Sequence, residues 1–108
     1  MIRVSIIYPP PSNESDQAQV FDLDYYHTKH LPLVNELYRE FGLSHWQIDK
    51  GISLSSRQPA SFIAAGYLFF DSIDSVKQAF KNQGATVMED IKNFTNIEPQ
   101  ISFSEIIV

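Results

Sequence analysis

The stretch that decides the fold is FDLDYYHTKHLPLVNELYREF, residues Phe21–Phe41. From Leu23 onward its apolar and aromatic side chains recur at intervals of three and four, which is the spacing of an amphipathic α-helix. His30 lies near the centre of this stripe, so a histidine is predicted to face the core. The full inner face predicted from this spacing is Leu23, Tyr26, His27, His30, Leu33, Val34, Leu37 and Phe41.

Pro32 interrupts this helix two residues after His30. Because proline has no backbone N–H, the carbonyl of Thr28 loses its usual helical donor. Proline also biases the residue before it, Leu31, away from helical geometry. We therefore expect the helix to kink beside an inward-facing histidine, and this is the first place to look for chemistry.

The composition describes one globular domain spanning residues 1–108. Hydrophobic residues make up 44% of the chain and the formal net charge is −5, so a basic surface for nucleic acid is not expected. The absence of cysteine removes disulfides and thiolate chemistry. No secretory signal and no membrane-spanning stretch is recognisable, so the expected location is the cytoplasm, with no membrane partner.

The segments around the first helix follow a regular order. Asp22 is expected to cap the start of that helix and Gly42 to end it. A second helix, with Ile73, Val76 and Phe80 on its inner face, is expected to begin at Asp71-Ser72 and to run to Gln83, where Gly84 ends it. Ala85–Lys92 is then a separate short helix. The polar segment Ser12–Gln19 is a predicted loop, and four strands are predicted at Ile2–Tyr8, Ser44–Gly51, Phe62–Phe70 and Ile97–Val108.

This β-α-β-β-α-β order defines an α+β fold of the ferredoxin-like type, a four-stranded antiparallel sheet with both helices on one face. The third strand, Phe62–Phe70, is nevertheless apolar on both of its faces. Because a large exposed apolar patch is rare on a soluble monomer, the open sheet face needs a cover. A second copy of the chain is the commonest cover, so a homodimer through the open sheet face is predicted.

His30 is the leading catalytic candidate, because a histidine titrates near pH 6.5 and small changes of environment bring it into working range. Tyr26, one helical turn away, would orient it or bind a substrate oxygen. The alternative is a core histidine that only packs. The H-x-x-H pair has no third ligand, so no metal is expected. Four further residues are predicted to bind a ligand: Tyr8, His27, Tyr67 and Phe80.

The first helix resembles a known family. Residues Phe21–Leu33 match the pattern F-D-x-x-Y-Y-x-x-x-H-x-P-L of the EthD family, named for ethyl tert-butyl ether degradation. Further similarity follows in the correct order at Asp49–Gly51, Tyr67–Ser72 and Asn93–Ile97. The chain departs from the family at two positions, where members usually carry Tyr and Asp in place of Phe94 and Asn96.

The resemblance implies a dimeric α+β barrel and a role in oxidative degradation. Members of the wider superfamily include cofactor-free monooxygenases, isomerases and haem-degrading enzymes, with a pocket between sheet and helices that His30 and Tyr26 would line here. The expected function is binding of a small cyclic or aromatic compound, without a cofactor, and acid–base chemistry by the histidine. Two alternatives stay open: a non-catalytic binding or scavenging protein, and a haem-binding protein.

Overall fold

The chain folds into a four-stranded antiparallel sheet with helices between its first and second and its third and fourth strands. This computed structural model describes residues 1–10 and 19–108. The strands lie in the order β2-β3-β1-β4, so the predicted ferredoxin-like fold is confirmed. The predicted loop Ser12–Gln19 lies outside the described residues except for Gln19. The strands are β1 (Ile2–Tyr8), β2 (Leu43–Lys50), β3 (Ala64–Phe70) and β4 (Gln100–Glu105).

The first helical region, residues 23–41, changes its winding along its length. It begins as α1 (Leu23–Tyr25), widens to a π-helical turn (Tyr26–His30), continues as α2 (Leu31–Tyr38) and tightens to a 3₁₀ turn (Arg39–Phe41). The predicted ends are confirmed. The carboxylate of Asp22 caps the start by accepting from the Tyr25 N–H at 3.0 Å. Gly42 ends the region in a left-handed conformation, with φ of +106°.

The irregularity predicted beside His30 takes the form of the π-helical turn. The N–H of Leu31 donates to the carbonyl of Tyr26, five residues back, and Pro32 lies in the first turn of α2, where its missing N–H costs little. The expected bias of Leu31 away from helical geometry is wrong, since its φ is −64° and its ψ is −38°. The π-helical turn shifts the backbone hydrogen bonds just before the proline from an acceptor four residues back to one five residues back. Leu31 can therefore remain helical.

The π-helical turn also changes which side chains face inward. A wheel drawn at a constant 3.6 residues per turn places His27 inside, and this is wrong, because His27 is exposed. The extra residue in the turn rotates the positions that follow. It brings Leu31 and Tyr38, which the wheel left out, into the core. The buried residues of the region are Tyr26, His30, Leu31, Val34 and Tyr38.

The second helix, α3, runs without a break over Ile73–Asp90. Ser72 caps it as predicted, by accepting from the Ser75 N–H at 3.1 Å. The expectation that Gly84 ends it is wrong, and Ala85–Lys92 is not a separate helix. A glycine inside a helix costs only about 1 kcal/mol, and burial of Val87 beyond it outweighs that cost.

The two faces of β3 have different surroundings. Leu68 and Phe70 point to the helices and are buried, whereas Tyr67 and Phe69 on the other face are only half-buried. Both helices pack on the first face, so neither helix covers the second. No helix in the described parts of the chain combines the length and the apolar character needed to cross a membrane.

Candidate functional site

A cavity of about 280 Å³ lies between the sheet and the helices. Its wall is mostly aliphatic, and Met88 and Ile101 line it although they remain exposed. The cavity therefore opens between α3 and β4. Its other lining residues come from β1, β3, the first helical region, α3 and the segment before β4: Val4, Ile6, Tyr8, Tyr26, His30, Leu31, Val34, Tyr38, Leu68, Phe80, Gly84, Val87, Ile91 and Pro99.

Among the described residues that line the cavity, His30 is the one histidine. The π-helical turn presents it inward, where it is 5% exposed. Its Nδ1 lies 2.8 Å from Oδ2 of Asp90, at the last turn of α3. With Nδ1 engaged by a carboxylate, Nε2 is the ring nitrogen left for a ligand.

Asp90 is itself held by two further donors. The hydroxyl of Tyr25 donates to Asp90 Oδ1 at 2.9 Å, and the side-chain amide of Asn93 donates to the same oxygen at 2.9 Å. Each carboxylate oxygen thus has a partner, and His30 receives a fixed acceptor. The network joins the first helical region to the end of α3.

The pKa values of this pair define its protonation at neutral pH. Burial lowers the pKa of His30, and the hydrogen bond to Asp90 offsets only part of that effect. Partial burial raises the pKa of Asp90, but the hydrogen bonds from His30, Asn93 and Tyr25 outweigh it, so the pKa is lowered overall. Asp90 is therefore ionised and His30 neutral, with its proton on Nδ1 and a free lone pair on Nε2.

Three tyrosines, Tyr8, Tyr26 and Tyr38, line the cavity together with His30. Burial raises the pKa of Tyr38 to about 12 and raises those of Tyr8 and Tyr26 further, so all three stay protonated. Tyr26 lies close over Gly66 of β3, where an added Cβ would collide with its hydroxyl. The Tyr26 and His30 rings stack at 5.7 Å between centroids.

The structure brings four of the six predicted site residues together. His30, Tyr26, Tyr8 and Phe80 all line the cavity, and their roles remain predictions. Two do not reach it. His27 is exposed and its ring faces Trp46 at 6.4 Å, for the helical reason given above. Tyr67 lies on the open face of β3, where the guanidinium of Arg3 lies 5.5 Å from its ring.

The sequence analysis missed Asp90, the partner of His30. Because α3 is continuous, Asp90 follows Val76, Phe80 and Val87 on the buried stripe of that helix. A carboxylate at a buried position is a signal of a functional site that the sequence contains. The wrong expectation of a break at Gly84 hid this spacing. His30 and His27 do not converge, and no group of three His, Cys, Asp or Glu side chains among the residues described is placed to hold a metal ion.

The two departures from the family pattern have structural roles. Phe94 is buried and its ring centroid lies 4.6 Å from that of His30, but it does not line the cavity. Oδ1 of Asn96 accepts from the Val20 N–H at 3.0 Å, which ties this turn to the segment before the first helical region. In this chain the turn contacts His30 through the Phe94 ring, which lies outside the cavity lining.

Fold and cavity together define a ferredoxin-like α+β protein with a mostly apolar cavity between its sheet and its helices. Comparison with known families matches residues 16–98 to the EthD domain. The chain belongs to the EthD family. No functionally curated protein matches it.

Solved structures show the same architecture. An EthD-like protein from Ralstonia eutropha is 29% identical, with a TM-score of 0.86 over 99% of this chain and 92% of that one. An ethyl tert-butyl ether degradation family protein from Bacillus halodurans is 22% identical, with a TM-score of 0.71 over 99% of both chains. SnoaB, a cofactor-independent oxygenase from Streptomyces nogalater, is 6% identical, with a TM-score of 0.58 over 99% and 92%. The last two likenesses concern the fold.

Proposed function

We propose that this EthD-family protein binds a small cyclic or aromatic compound in the cavity and that His30 moves a proton to or from it. The observation that carries the proposal is the pairing of His30 Nδ1 with Asp90 at 2.8 Å on the wall of an apolar cavity. A neutral imidazole whose second nitrogen is held by a carboxylate is a good general base. Tyr26, stacked on His30, would orient the ring and bind a substrate oxygen.

The size of the cavity supports a ring compound. A cavity of about 150 Å³ lined by aliphatic and aromatic residues takes up benzene, so about 280 Å³ leaves room for one or two rings. The wall offers few polar groups for orientation, which is the usual composition of a small-molecule site.

Proton abstraction from a bound ring compound is the common first step of the reactions considered. In an isomerase, His30 would return the proton to another carbon of the substrate. In a cofactor-free oxidoreductase or monooxygenase, the carbanion or enolate would be oxidised by molecular oxygen as co-substrate. In the monooxygenase case one oxygen atom would enter the compound as a carbonyl, and the other would leave as water with the two hydrogens of the oxidised carbon. The cofactor-independent oxygenase from Streptomyces nogalater has the same fold, which supports the suitability of the scaffold and leaves the reaction to be tested.

The test is a thermal melt of wild type, His30→Ala and His27→Ala with a panel of small ring compounds, followed by turnover assays on any compound that binds. A ligand at a hundredfold its dissociation constant stabilises by about 2.7 kcal/mol, a shift on the order of ten degrees for this chain length. We expect turnover to vanish in His30→Ala and to persist in His27→Ala, because only His30 lines the cavity. Full turnover by His30→Ala would contradict the proposal.

A non-catalytic binding or scavenging role is the second candidate. The three protonated tyrosine hydroxyls and the aliphatic wall would hold a ring compound without any reaction. This role predicts that the compound stabilises the protein and is recovered unchanged, and that His30→Ala weakens binding without removing it.

Haem does not fit the cavity. Haem carries two propionates, and none of the described lining residues is a lysine or an arginine that could meet them. The cavity volume, about 280 Å³, is also slightly below the roughly 300 to 1,000 Å³ of pockets for drug-sized ligands, and haem is a large rigid macrocycle. Haemin added to the purified protein should therefore give no shifted absorbance band.

The partner proposed for the open sheet face is a second copy of this chain. Tyr67 and Phe69 of β3 leave apolar surface there, with Arg3 and His45 packed against their rings. Pairing two such faces buries it on both copies and produces the dimeric α+β barrel that the family resemblance implies.

A further inference from the structure

We propose that the cavity selects uncharged ring compounds that carry a hydroxyl, phenols or enols, and rejects the matching carboxylates. This inference rests on the proposed function and deepens it by naming the class of ligand. It follows from the charges and hydrogen-bonding groups of the cavity wall, taken in turn.

The described part of the wall holds no cation. None of the described residues that line the cavity is a lysine or an arginine, and the carboxylate of Asp90 lies behind His30, in contact with its ring. An anion placed here would lose its hydration, gain no cationic partner and lie near a negative group. A carboxylate ligand is therefore disfavoured by both desolvation and repulsion.

Two other ways of binding a carboxylate ligand without this penalty are also unfavourable. Protonating His30 to meet the anion is opposed by its burial. Binding the ligand as a neutral acid is costly, because a carboxyl group with a pKa near 4.3 is protonated in only about one molecule in 500 at pH 7. A phenol, with a pKa near 10, is neutral at the same pH.

The polar groups of the wall match a hydroxyl compound. The free lone pair on Nε2 of His30 accepts a hydrogen bond, so it calls for a donor on the ligand. Tyr8, Tyr26 and Tyr38 also line the cavity, and each carries a protonated hydroxyl that can donate a hydrogen bond. A phenol or enol that donates to His30 and accepts from a tyrosine satisfies both.

Met88 gives a way to reverse the selection. It lines the cavity and is 58% exposed, so a long side chain placed there can reach the mouth without disturbing the core. Met88→Arg adds the missing cation at the entrance. Met88→Gln, of similar length and no charge, is the matched control.

The experiment measures the affinity of four probes by calorimetry at pH 7.5: phenol, 2-naphthol, 2-methoxynaphthalene and 2-naphthoate. We expect a hydroxyl compound to bind wild type, the methyl ether to bind roughly tenfold more weakly because it lacks the donor, and 2-naphthoate to bind at least a hundredfold more weakly. Met88→Arg should bind 2-naphthoate at least tenfold more tightly than Met88→Gln does, because the two variants differ in charge and share the loss of the thioether.

Three results would overturn the inference: equal affinity for 2-naphthol and 2-naphthoate in wild type, no binding of either hydroxyl compound, or no gain for 2-naphthoate in Met88→Arg over Met88→Gln. Turnover is not part of the measurement, so the two proposals can fail separately. Selective binding of 2-naphthol by the wild type, without turnover of any compound in the panel, would uphold the ligand class and reject the role of His30 as a base.

Discussion

At the scale of single residues, the function of the site depends on which nitrogen of His30 carries the proton. Asp90 fixes this through the 2.8 Å contact at Nδ1. In Asp90→Asn the charge is lost and the amide can present either its oxygen or its NH₂ group, so we expect the preference for the Nδ1–H tautomer to disappear. Nitrogen NMR of the imidazole measures the two tautomers directly.

The neighbouring Glu89 supplies the control for this prediction. Its carboxylate is exposed and lies 3.8 Å from the ammonium of Lys92, away from the His30 ring. Glu89→Gln should keep the wild-type tautomer. A wild-type tautomer in Asp90→Asn as well would show that Asp90 does not position the ring.

A second prediction at this scale concerns pH and stability. Burial lowers the pKa of His30 below its ordinary 6.5, so the unfolded chain takes up a proton there that the folded chain resists. This contribution to stability is full above pH 6.5 and is lost as the pH falls toward the lowered pKa, with a slope of at most about 1.4 kcal/mol per pH unit. Urea unfolding of wild type and His30→Asn at pH 7.5, 6.5, 5.5 and 4.5 measures the difference.

Asp90 contributes with the same sign as His30, but in a more acidic pH window. Its pKa is lowered from 3.8, so its stabilising effect is present above that value and fades only in more acidic solution. Between pH 4.5 and 6.5, the difference in free energy of unfolding between wild type and His30→Asn therefore reports the titration of His30 and not that of Asp90. Parallel pH profiles for wild type and His30→Asn would show that the burial of His30 has no such energetic effect.

At the scale of secondary-structure elements, Gly84 links the stability of α3 to the cavity. It lies inside the helix and lines the cavity, and an added Cβ would meet only Phe80, at an ordinary 3.9 Å. Gly84→Ala should stabilise the protein by about 1 kcal/mol, a rise of roughly four to eight degrees in melting temperature. The methyl group also takes space from the cavity, so the shift given by a bound ring compound should shrink.

Ala85, the next residue along α3, is exposed and offers the reverse control. Ala85→Gly should destabilise the helix by about the same amount and leave ligand binding as it is. If Gly84→Ala left the ligand-induced shift unchanged, Gly84 would not belong to the wall that the ligand touches.

The elements also show why prediction from the sequence succeeded for some positions and failed for others. Val76 and Phe80 followed from simple helical spacing, and Asp22 and Ser72 from capping chemistry. His27 failed because a π-helical turn changes the rotation per residue, which a fixed wheel does not represent. Asp90 was missed because glycine is both a common helix terminator and a tolerated interior residue, and only packing decides between these.

Tyr67 failed for a different reason. A strand that is apolar on both faces does not indicate which face the helices cover, because alternation alone gives two equivalent choices. Which face of β3 the helices cover is set by the tertiary structure, in which Tyr67 pairs with Ser5 of β1. The sequence of the strand alone does not contain this information.

At the scale of the whole molecule, the open sheet face leads to a prediction about assembly. Tyr67→Glu places a charge in the middle of the apolar face, so we expect the wild type to be a dimer and this variant a monomer. Sedimentation velocity measures both. Ile73→Glu is the control, because Ile73 is 60% exposed on α3, on the helix side of the sheet. A wild type that sediments as a monomer at high protein concentration would contradict the prediction.

The contact between His30 and Asp90 has a further consequence, because it spans 60 positions of the chain. Each βαβ half of the fold contributes one member of the pair, the histidine from the first half and the carboxylate from the second. A fragment that ends in the segment between β2 and β3 would carry the imidazole without the group that sets its proton. The proton transfer proposed for His30 would therefore require both halves, and complementation of two separately made fragments should restore the pairing of His30 with Asp90 in step with their association.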